Sequence, residues 1–206
     1  MPTRYPTVSL FDRVADAADF DALYALEAMT NERLRDELGE VERVPCEQRL
    51  YGPGSGPIMA AFTHVNVLGS RFSDGRYGVF YAARERVTAV AETRHHHGRF
   101  LAATAQGPLH LPMRLYHVAI EARLHDLRTG AADAVHDPDD YGVAQALGAR
   151  LHAAGSAGVA YRSVRHDGGQ CVGLFKPGGA RECLHAAYLL YAWDGRRFTD
   201  VYEKTE

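Results

Sequence analysis

The spacing of hydrophobic and polar residues alternates along the chain between a helical and an extended period. Residues 84–97 and 141–155 have apolar side chains at helical spacing, and Val87, Val90 and Ala91 form an apolar stripe in the first of these segments. The predicted strands are residues 77–83, 115–124, 158–165, 171–177, 186–193 and 197–204. Because most of these strands lie in the C-terminal half and do not alternate regularly with helices, the pattern predicts an α+β fold.

The N-terminal part of the chain has a different pattern from the rest. Between residues 16 and 38, apolar residues recur at helical spacing opposite a charged face, which predicts one or two helices. From Val44 onward glycine and proline become frequent. We therefore predict a helical extension over residues 1–44 and a main domain over residues 45–206. The extension could pack on that domain or on a second copy of the chain.

A glycine- and proline-rich stretch, GPGSGP at residues 52–57, has some likeness to a phosphate-binding loop. No Gly-Lys-Ser or Gly-Lys-Thr follows it and no helical pattern begins after it, so we interpret it as an ordinary loop. Two other turn signals are stronger. HDGG at residues 166–169 and DGR at residues 194–196 each separate two predicted strands and therefore predict β-hairpins.

Composition narrows the class of protein and of partner. Of the 206 residues, 46% are hydrophobic and 24% are charged, which is typical of a globular protein, and the formal net charge is -3. That charge argues against a general nucleic-acid-binding surface but does not exclude a local basic cleft for a phosphate ligand. There is no signal-peptide pattern and no run of roughly 18 apolar residues, so we expect a cytoplasmic protein with no membrane span. Three scattered cysteines predict reduced thiols rather than a disulfide framework.

Three consecutive histidines, His95, His96 and His97, follow Glu92 and raise the question of a metal site. Successive helical residues point about 100° apart, so the three side chains cannot converge on one ion. Glu92 shares a helix face only with His95 or His96, and such a Glu-x-x-His pair needs a second copy of the motif, which the sequence lacks. We therefore predict no metal. We interpret the histidines as a polar helix end near the negative pole of the helix dipole, from which one of them could reach a site.

Five other polar residues are ambiguous from local pattern alone. Glu92 could be a solvated helix residue, Tyr81 a core tyrosine and Ser163 an ordinary strand residue. Arg49 and Arg71 could equally be surface charges beside glycine-rich loops. Periodicity does not distinguish these interpretations from functional ones.

Taken together and in order, these residues resemble the RES domain family, which is named for an arginine, a glutamate and a serine. The stretch QRLY supplies the first arginine, Arg49. The block GSRFSDGRYGVFYAARERVTAVAE is similar to the most distinctive part of the family, with a Gly-x-Arg-aromatic turn at Arg71, a strand ending in Tyr81 and a helix with Glu92. GVAYRSVRHDGGQCVGLFKP resembles the serine strand, hairpin turn and following strand, with Ser163 as the serine.

The resemblance implies a fold similar to ADP-ribosyltransferases, a split β core with flanking helices and NAD in its cleft. Members are toxins of toxin–antitoxin pairs that hydrolyse or phosphorolyse NAD, or transfer ADP-ribose to a protein. Their partner is an Xre-type antitoxin that occludes the cleft. The implied catalytic residues are Glu92, Arg49 and Ser163, the implied NAD-binding residues are Arg49, Arg71, Tyr81 and Ser163, and no metal is implied.

The residue types suit this chemistry. Cleavage of the nicotinamide–ribose bond develops positive charge on the ribose, which a carboxylate such as Glu92 stabilises. The forked donors of Arg49 and Arg71 match the oxygens of a pyrophosphate. Tyr81 can lie against the nicotinamide ring, and Ser163 can hydrogen-bond the ribose or the carboxamide.

Two other functions stay open at this point. One is a metal-dependent hydrolase built on Glu92 and the histidines, and the other is a non-catalytic nucleotide-binding module of the same fold. The acceptor could be water, phosphate or a protein, because acceptor choice depends on the shape of the cleft. A homodimer is also compatible with the sequence.

Overall fold

The computed structural model describes residues 10–14, 16, 18–20, 23, 39–129 and 133–204. In this part of the chain the helices are α1 (Leu10–Arg13), α2 (Ser55–Thr63), α3 (Arg86–Ala103) and α4 (Gly142–Ala153). The strands are β1 (Phe80–Ala83), β2 (Leu109–Ile120), β3 (His125–Asp126), β4 (Gly158–Arg162), β5 (Gln170–Leu174), β6 (Ala180–Trp193) and β7 (Phe198–Glu203). Helices and strands are mixed along the chain, which confirms the α+β class.

The strands form two separate sheets. The first has the order β1-β5-β4-β3, in which β5 is antiparallel to both β1 and β4, and β3 is parallel to β4. The second is the antiparallel sheet β2-β6-β7. Helix α3 follows β1 directly and also packs its Val90 and Leu101 against the apolar residues of the second sheet. Helix α3 therefore contacts both sheets.

Both predicted hairpins are confirmed. β4 and β5 pair across the turn of residues 166–169, where Gly168 has a φ of 72° that favours glycine. β6 and β7 pair across residues 194–196, where Asp194 Oδ1 accepts the backbone N–H groups of Arg196 (2.7 Å) and Arg197 (2.8 Å). Both turns thus have the local chemistry that the sequence indicates.

The expectation that no helix begins near residues 52–57 is wrong, because α2 starts inside this stretch at Ser55. Gly54 precedes the helix with a φ of 81°, and Pro57 lies in the first turn, where its missing N–H interrupts no intrahelical hydrogen bond. Its buried residues lie at i, i+3, i+4, i+7 and i+8 and so form one helix face: Ser55, Ile58, Met59, Phe62 and Thr63. The opposite side of the helix has glycine, proline and alanine rather than charged residues, so the contrast between an apolar and a polar face is weak in the sequence.

Near the N-terminus, Phe11 and Phe20 are buried with their rings stacked 4.7 Å apart. They belong to the same apolar cluster as Ile58 and Met59 of α2. The described N-terminal residues thus pack on the main domain, whereas most of the predicted helical segment 16–38 lies outside the described residues.

Helix α3 differs from its prediction in two respects. It continues to Ala103, so His95, His96 and His97 lie within the helix rather than at its end, and the dipole interpretation is wrong. At Gly98 the helix passes close to the second sheet, because a Cβ on this glycine would lie 3.6 Å from the Trp193 ring and 3.8 Å from the Phe198 ring. Val87, expected in the apolar stripe, is exposed, whereas Val90 packs on the second sheet.

No helix in the described ranges has the length and the apolar character needed to cross a membrane.

Candidate active site

Glu92 and Ser163, which are 71 residues apart in the sequence, form a direct hydrogen bond. The Ser163 hydroxyl donates to Glu92 Oε1 at 2.6 Å, and Ser163 Oγ accepts the backbone N–H groups of Arg165 and His166, both at 3.1 Å. Ser163 follows the last residue of β4, so it belongs to the turn and not to the strand as expected. Because the hydroxyl oxygen accepts two N–H groups, its single hydrogen is directed at the Glu92 carboxylate. This hydrogen bond holds the carboxylate in one orientation.

Tyr81, at the second position of β1, has an enclosed hydroxyl and a partly exposed ring. Its hydroxyl oxygen accepts the Phe72 N–H at 2.9 Å and lies 2.9 Å from Ser70 Oγ. Burial of the hydroxyl raises the pKa of Tyr81 to about 12, so the group stays neutral. The hydroxyl thus anchors the tyrosine to the turn before β1, while the ring forms part of a cavity wall.

Arg71 is a buried cation, only 6% exposed. Its Nη1 donates to the carbonyl oxygens of Val135 (3.1 Å) and Asp137 (2.8 Å), and its guanidinium lies 4.4 Å from the centre of the Tyr141 ring. These partners orient the side chain but do not neutralise its charge. No carboxylate of the described residues lies within ion-pair distance of Arg71. A buried cation that makes no direct ion pair is suited to an anionic ligand.

Glu92, Arg71 and Tyr81 line the same cavity of about 810 Å³, which lies between α3, β1, the loop before β1 and the start of α4. A second cavity of about 620 Å³ adjoins it on the side of the β2-β6-β7 sheet. The two share a wall that includes Tyr81, Thr93 and His97. Each is within the usual size of a small-molecule site, and together they form a cleft that suits an elongated ligand.

The structure does not bring Arg49 to this cleft. Arg49 Nε donates to the Val44 carbonyl at 3.0 Å, and the residue lines neither of the two cavities. Ser163 does not line the larger cavity, but it is hydrogen-bonded to Glu92, which does. Ser163 itself lines a third cavity of about 590 Å³.

Two of the three histidines reach the larger cavity. His96 and His97 line the larger cavity, and His96 Nε2 lies 3.9 Å from Glu92 Oε2. Burial lowers the pKa of His95 and of His97 to about 4 and also lowers the pKa of His96, so the neutral imidazoles are favoured. Within the part of the chain that the structure describes, no group of three or more His, Cys, Asp or Glu residues could hold a metal ion.

Several residues at this site were not identified by sequence reasoning. Tyr141 stacks on Arg71, and Gln145 Nε2 donates to the Ser70 carbonyl at 3.0 Å, which ties α4 to the loop before β1. Thr88 and His166 are hydrogen-bonded to one another at 2.8 Å beside the Glu92–Ser163 pair. These contacts are tertiary, so the sequence pattern does not reveal the partners. The one hint in the sequence was the i and i+4 spacing of Thr88 and Glu92, which places both residues on the same helix face.

Comparison with known proteins gives a match that includes all the residues of this site that the sequence indicated. The sequence model of the RES domain matches residues 42–194, which include Arg49, Arg71, Tyr81, Glu92 and Ser163. A relative from Sinorhizobium fredii (strain NBRC 101917 / NGR234), named "Uncharacterized protein y4oC", is 26% identical over 204 residues, which is 98% of this chain and 84% of the relative.

Proposed function

Since the chain belongs to the RES domain family, as the match over residues 42–194 shows, we propose that it is an enzyme that cleaves the nicotinamide–ribose bond of NAD+. The products are nicotinamide and ADP-ribose on hydrolysis, or ADP-ribose carrying a new phosphate on phosphorolysis. In this proposal the protein is the toxin of a toxin–antitoxin pair and acts by depleting NAD+. Transfer of ADP-ribose to a protein is the alternative within the same chemistry.

One observation carries the proposal: a carboxylate with a fixed orientation and a buried cation line one cavity. Glu92 is held by the Ser163 hydroxyl at 2.6 Å, and Arg71 is 6% exposed without a carboxylate partner among the described residues. A site that cleaves NAD+ needs a positive and a negative group, because the pyrophosphate is anionic and the ribose becomes cationic as the glycosidic bond breaks. Glu92 supplies an interaction that strengthens in the transition state.

Binding roles follow from the cavity walls. We assign the pyrophosphate to Arg71, because its buried guanidinium has no carboxylate of the described residues within ion-pair distance. The ring of Tyr81 is assigned to the nicotinamide, because the hydroxyl is anchored and the ring face lies on the cavity. Arg49, a candidate by resemblance, stays a weaker one, since it lines neither cavity.

The arrangement of the two sheets supports the finer assignment of an ADP-ribosyltransferase-like fold. The smaller cavity lies between β1 and α3 on one side and β2 and β6 on the other, and the larger one adjoins it. A cleft in a β core split into two sheets is the feature that such a fold uses to hold NAD. We propose that the dinucleotide lies along this cleft, with its nicotinamide end beside Glu92.

An Xre-type antitoxin is the proposed partner, and we propose that it covers the mouth of the larger cavity. Two large apolar side chains in the wall of that cavity are exposed to solvent, Leu68 by 89% and Phe100 by 64%. Val67 and Val143, next to wall residues, are exposed as well. An apolar rim around a polar cavity is a surface that a protein partner would bury. Neither nucleic acid nor a membrane has a role in this proposal, and its setting is the cytoplasm.

The decisive experiment incubates the purified protein with NAD+, with and without phosphate, and identifies the products. We expect release of nicotinamide that is insensitive to a metal chelator and about 100-fold or more slower in Glu92→Gln. Loss of activity on chelation would instead favour a metal-dependent hydrolase. If NAD+ binds but stays intact in both buffers and with candidate protein acceptors, the chain is a nucleotide-binding module and the proposal of catalysis is wrong.

A further inference from the structure

The turn that carries Ser163 is attached to helix α3 at two points. Ser163 Oγ donates to Glu92 Oε1 at 2.6 Å, and His166 Nδ1 lies 2.8 Å from Thr88 Oγ1. Thr88 and Glu92 are four residues apart, so they lie one above the other on the same face of the helix. The segment of residues 163–169 therefore contacts α3 at two positions that are about one helical turn apart.

The second attachment point is fully enclosed. Thr88 is 0% exposed, so its hydroxyl would be a buried polar group without a partner if His166 did not bond to it. Gly169 lies directly over this threonine: a Cβ at Gly169 would come within 2.8 Å of both Thr88 Oγ1 and Cγ2. The backbone of the turn thus packs on Thr88 as closely as a glycine allows.

His166 links the two attachment points. Its ring bonds to Thr88, while its backbone N–H donates to Ser163 Oγ at 3.1 Å, alongside the N–H of Arg165. These two N–H groups determine which way the hydroxyl hydrogen of Ser163 points, and it points at Glu92. The position of the His166 backbone therefore affects the orientation of the Glu92 carboxylate.

We propose that Thr88 and His166 are positioning residues that act on Glu92 through Ser163. Their hydrogen bond holds the turn of residues 163–169 against α3, so that the serine hydroxyl holds the carboxylate in one orientation toward the cavity. This inference rests on the proposed function for what Glu92 does, but the physical link that it describes is independent of the substrate.

The kinetic test uses Thr88→Val, which keeps the volume and removes the hydroxyl, together with Thr88→Ser, which keeps the hydroxyl. We expect Thr88→Val to lower kcat for NAD+ about 10- to 100-fold, the cost of a small misplacement of a catalytic group, with KM changed by less than about twofold. Thr88→Ser should retain most of the activity. The matched control is Thr104→Val, in which the exposed threonine at the end of the same helix loses a similar hydroxyl.

A double-mutant cycle separates positioning from general destabilisation. If Thr88 acts through Ser163, the variant Thr88→Val/Ser163→Ala has a kcat close to that of Ser163→Ala alone, because the link is already broken. Multiplicative losses in the double variant would show that Thr88 acts independently of Ser163, and the proposal would be wrong.

Amide hydrogen exchange tests the link without any substrate. In the wild type the N–H groups of Arg165 and His166 should exchange slowly, because both are bonded to Ser163 Oγ. Thr88→Val should accelerate their exchange while amides of the β2-β6-β7 sheet stay protected, and Thr88→Ser should not. Unchanged protection in Thr88→Val would overturn the inference. A wild type that shows the exchange pattern but leaves NAD+ intact would instead count against the proposed function.

Discussion

The two faces of helix α3 differ in the kind of side chain they present and in the kind of contact they make. One face packs Val90 and Leu101 on the second sheet, in a cluster with Met113, Trp193 and Phe198. The other face presents Thr88, Glu92 and His96 at i, i+4 and i+8, and these reach the Ser163 turn and the larger cavity. The apolar face depends on area buried, whereas the polar face depends on a few directed hydrogen bonds.

The difference shows that one helix can stabilise the fold with one face and position polar side chains at a cavity with the other. On the apolar side, many interchangeable contacts hold the helix in place. On the polar side, the Ser163–Glu92 bond has one donor and one acceptor, so removal of either changes what the carboxylate can do. We expect variants of the first face to change the free energy of unfolding and variants of the second to change turnover.

The largest effect is expected from Leu101→Ala on the apolar face. Leu101 is buried against the second sheet, so truncation leaves a cavity and lowers the free energy of unfolding by about 2–5 kcal/mol. Denaturant unfolding measures this loss, and kcat per folded molecule should stay near the wild-type value. Leu184→Ala, at an exposed leucine, is the control and should be nearly neutral. A large fall in kcat without loss of stability would mean that the two faces are not separable.

Glu92→Gln tests the polar face. Glutamine keeps the volume and the helix propensity but removes the negative charge that we propose lies beside the ribose, so kcat should fall about 100-fold or more, which is roughly 2.7 kcal/mol. Affinity for NAD+ should fall far less, because the interaction is strongest in the transition state. Steady-state kinetics and calorimetry separate the two quantities, with Glu47→Gln, an exposed glutamate, as the control. Turnover within a few-fold of wild type would place the chemistry elsewhere.

Arg71→Ala compared with Arg49→Ala sharpens the assignment of the pyrophosphate. Each charge-assisted hydrogen bond to a phosphate contributes about 1.5–3 kcal/mol, so Arg71→Ala should weaken NAD+ binding about 10- to 100-fold. Arg49→Ala should weaken it less, because Arg49 lines neither cavity. Calorimetric titration with NAD+ measures both, and the thermal midpoint checks that each variant is folded. The reverse order of effects would move the pyrophosphate to Arg49.

The smallest effect concerns the pH dependence of stability. Partial burial removes water from His95 and His97 and lowers the pKa of each to about 4 in the folded protein, below the ordinary value of 6.5. Between these values the unfolded chain binds more protons than the folded one, so stability is retained above about pH 6.5 and declines as the pH falls toward 4. Thermal midpoints measured across this range should fall less steeply in the double variant His95→Gln/His97→Gln. An equal slope in wild type and variant would contradict the assignment.

Sequence reasoning predicted the parts of the fold that depend on local signals. The hairpins at Gly168 and Gly195 were identified because their turn residues are specific, and the strands of the C-terminal half had clear patterns. Helix α2 was missed because it is short, begins within a glycine- and proline-rich stretch and has no charged residues opposite its buried face, and the length of α3 was underestimated because Gly98 is accommodated by Trp193.

The candidate site was predictable only in part, and for a physical reason. The family resemblance selected Glu92 and Ser163, which the structure places in contact. It could not show that Arg71 is buried between backbone carbonyls and Tyr141, since this depends on residues about 65 positions away. The bond from Thr88 to His166, residues 78 positions apart, is likewise a product of tertiary packing.

The wide separation of Glu92 and Ser163 along the chain has a consequence for protein synthesis. The strand that holds β1 in its sheet is β5, which ends at Leu174, and the serine turn lies directly before it. A nascent chain on the ribosome therefore has the carboxylate but no hydroxyl to orient it until translation has passed this point. Interrupted translation products that end before β5 would lack the strand partner of β1, so the Glu92–Ser163 pair can be held in place only after residue 174 has been translated.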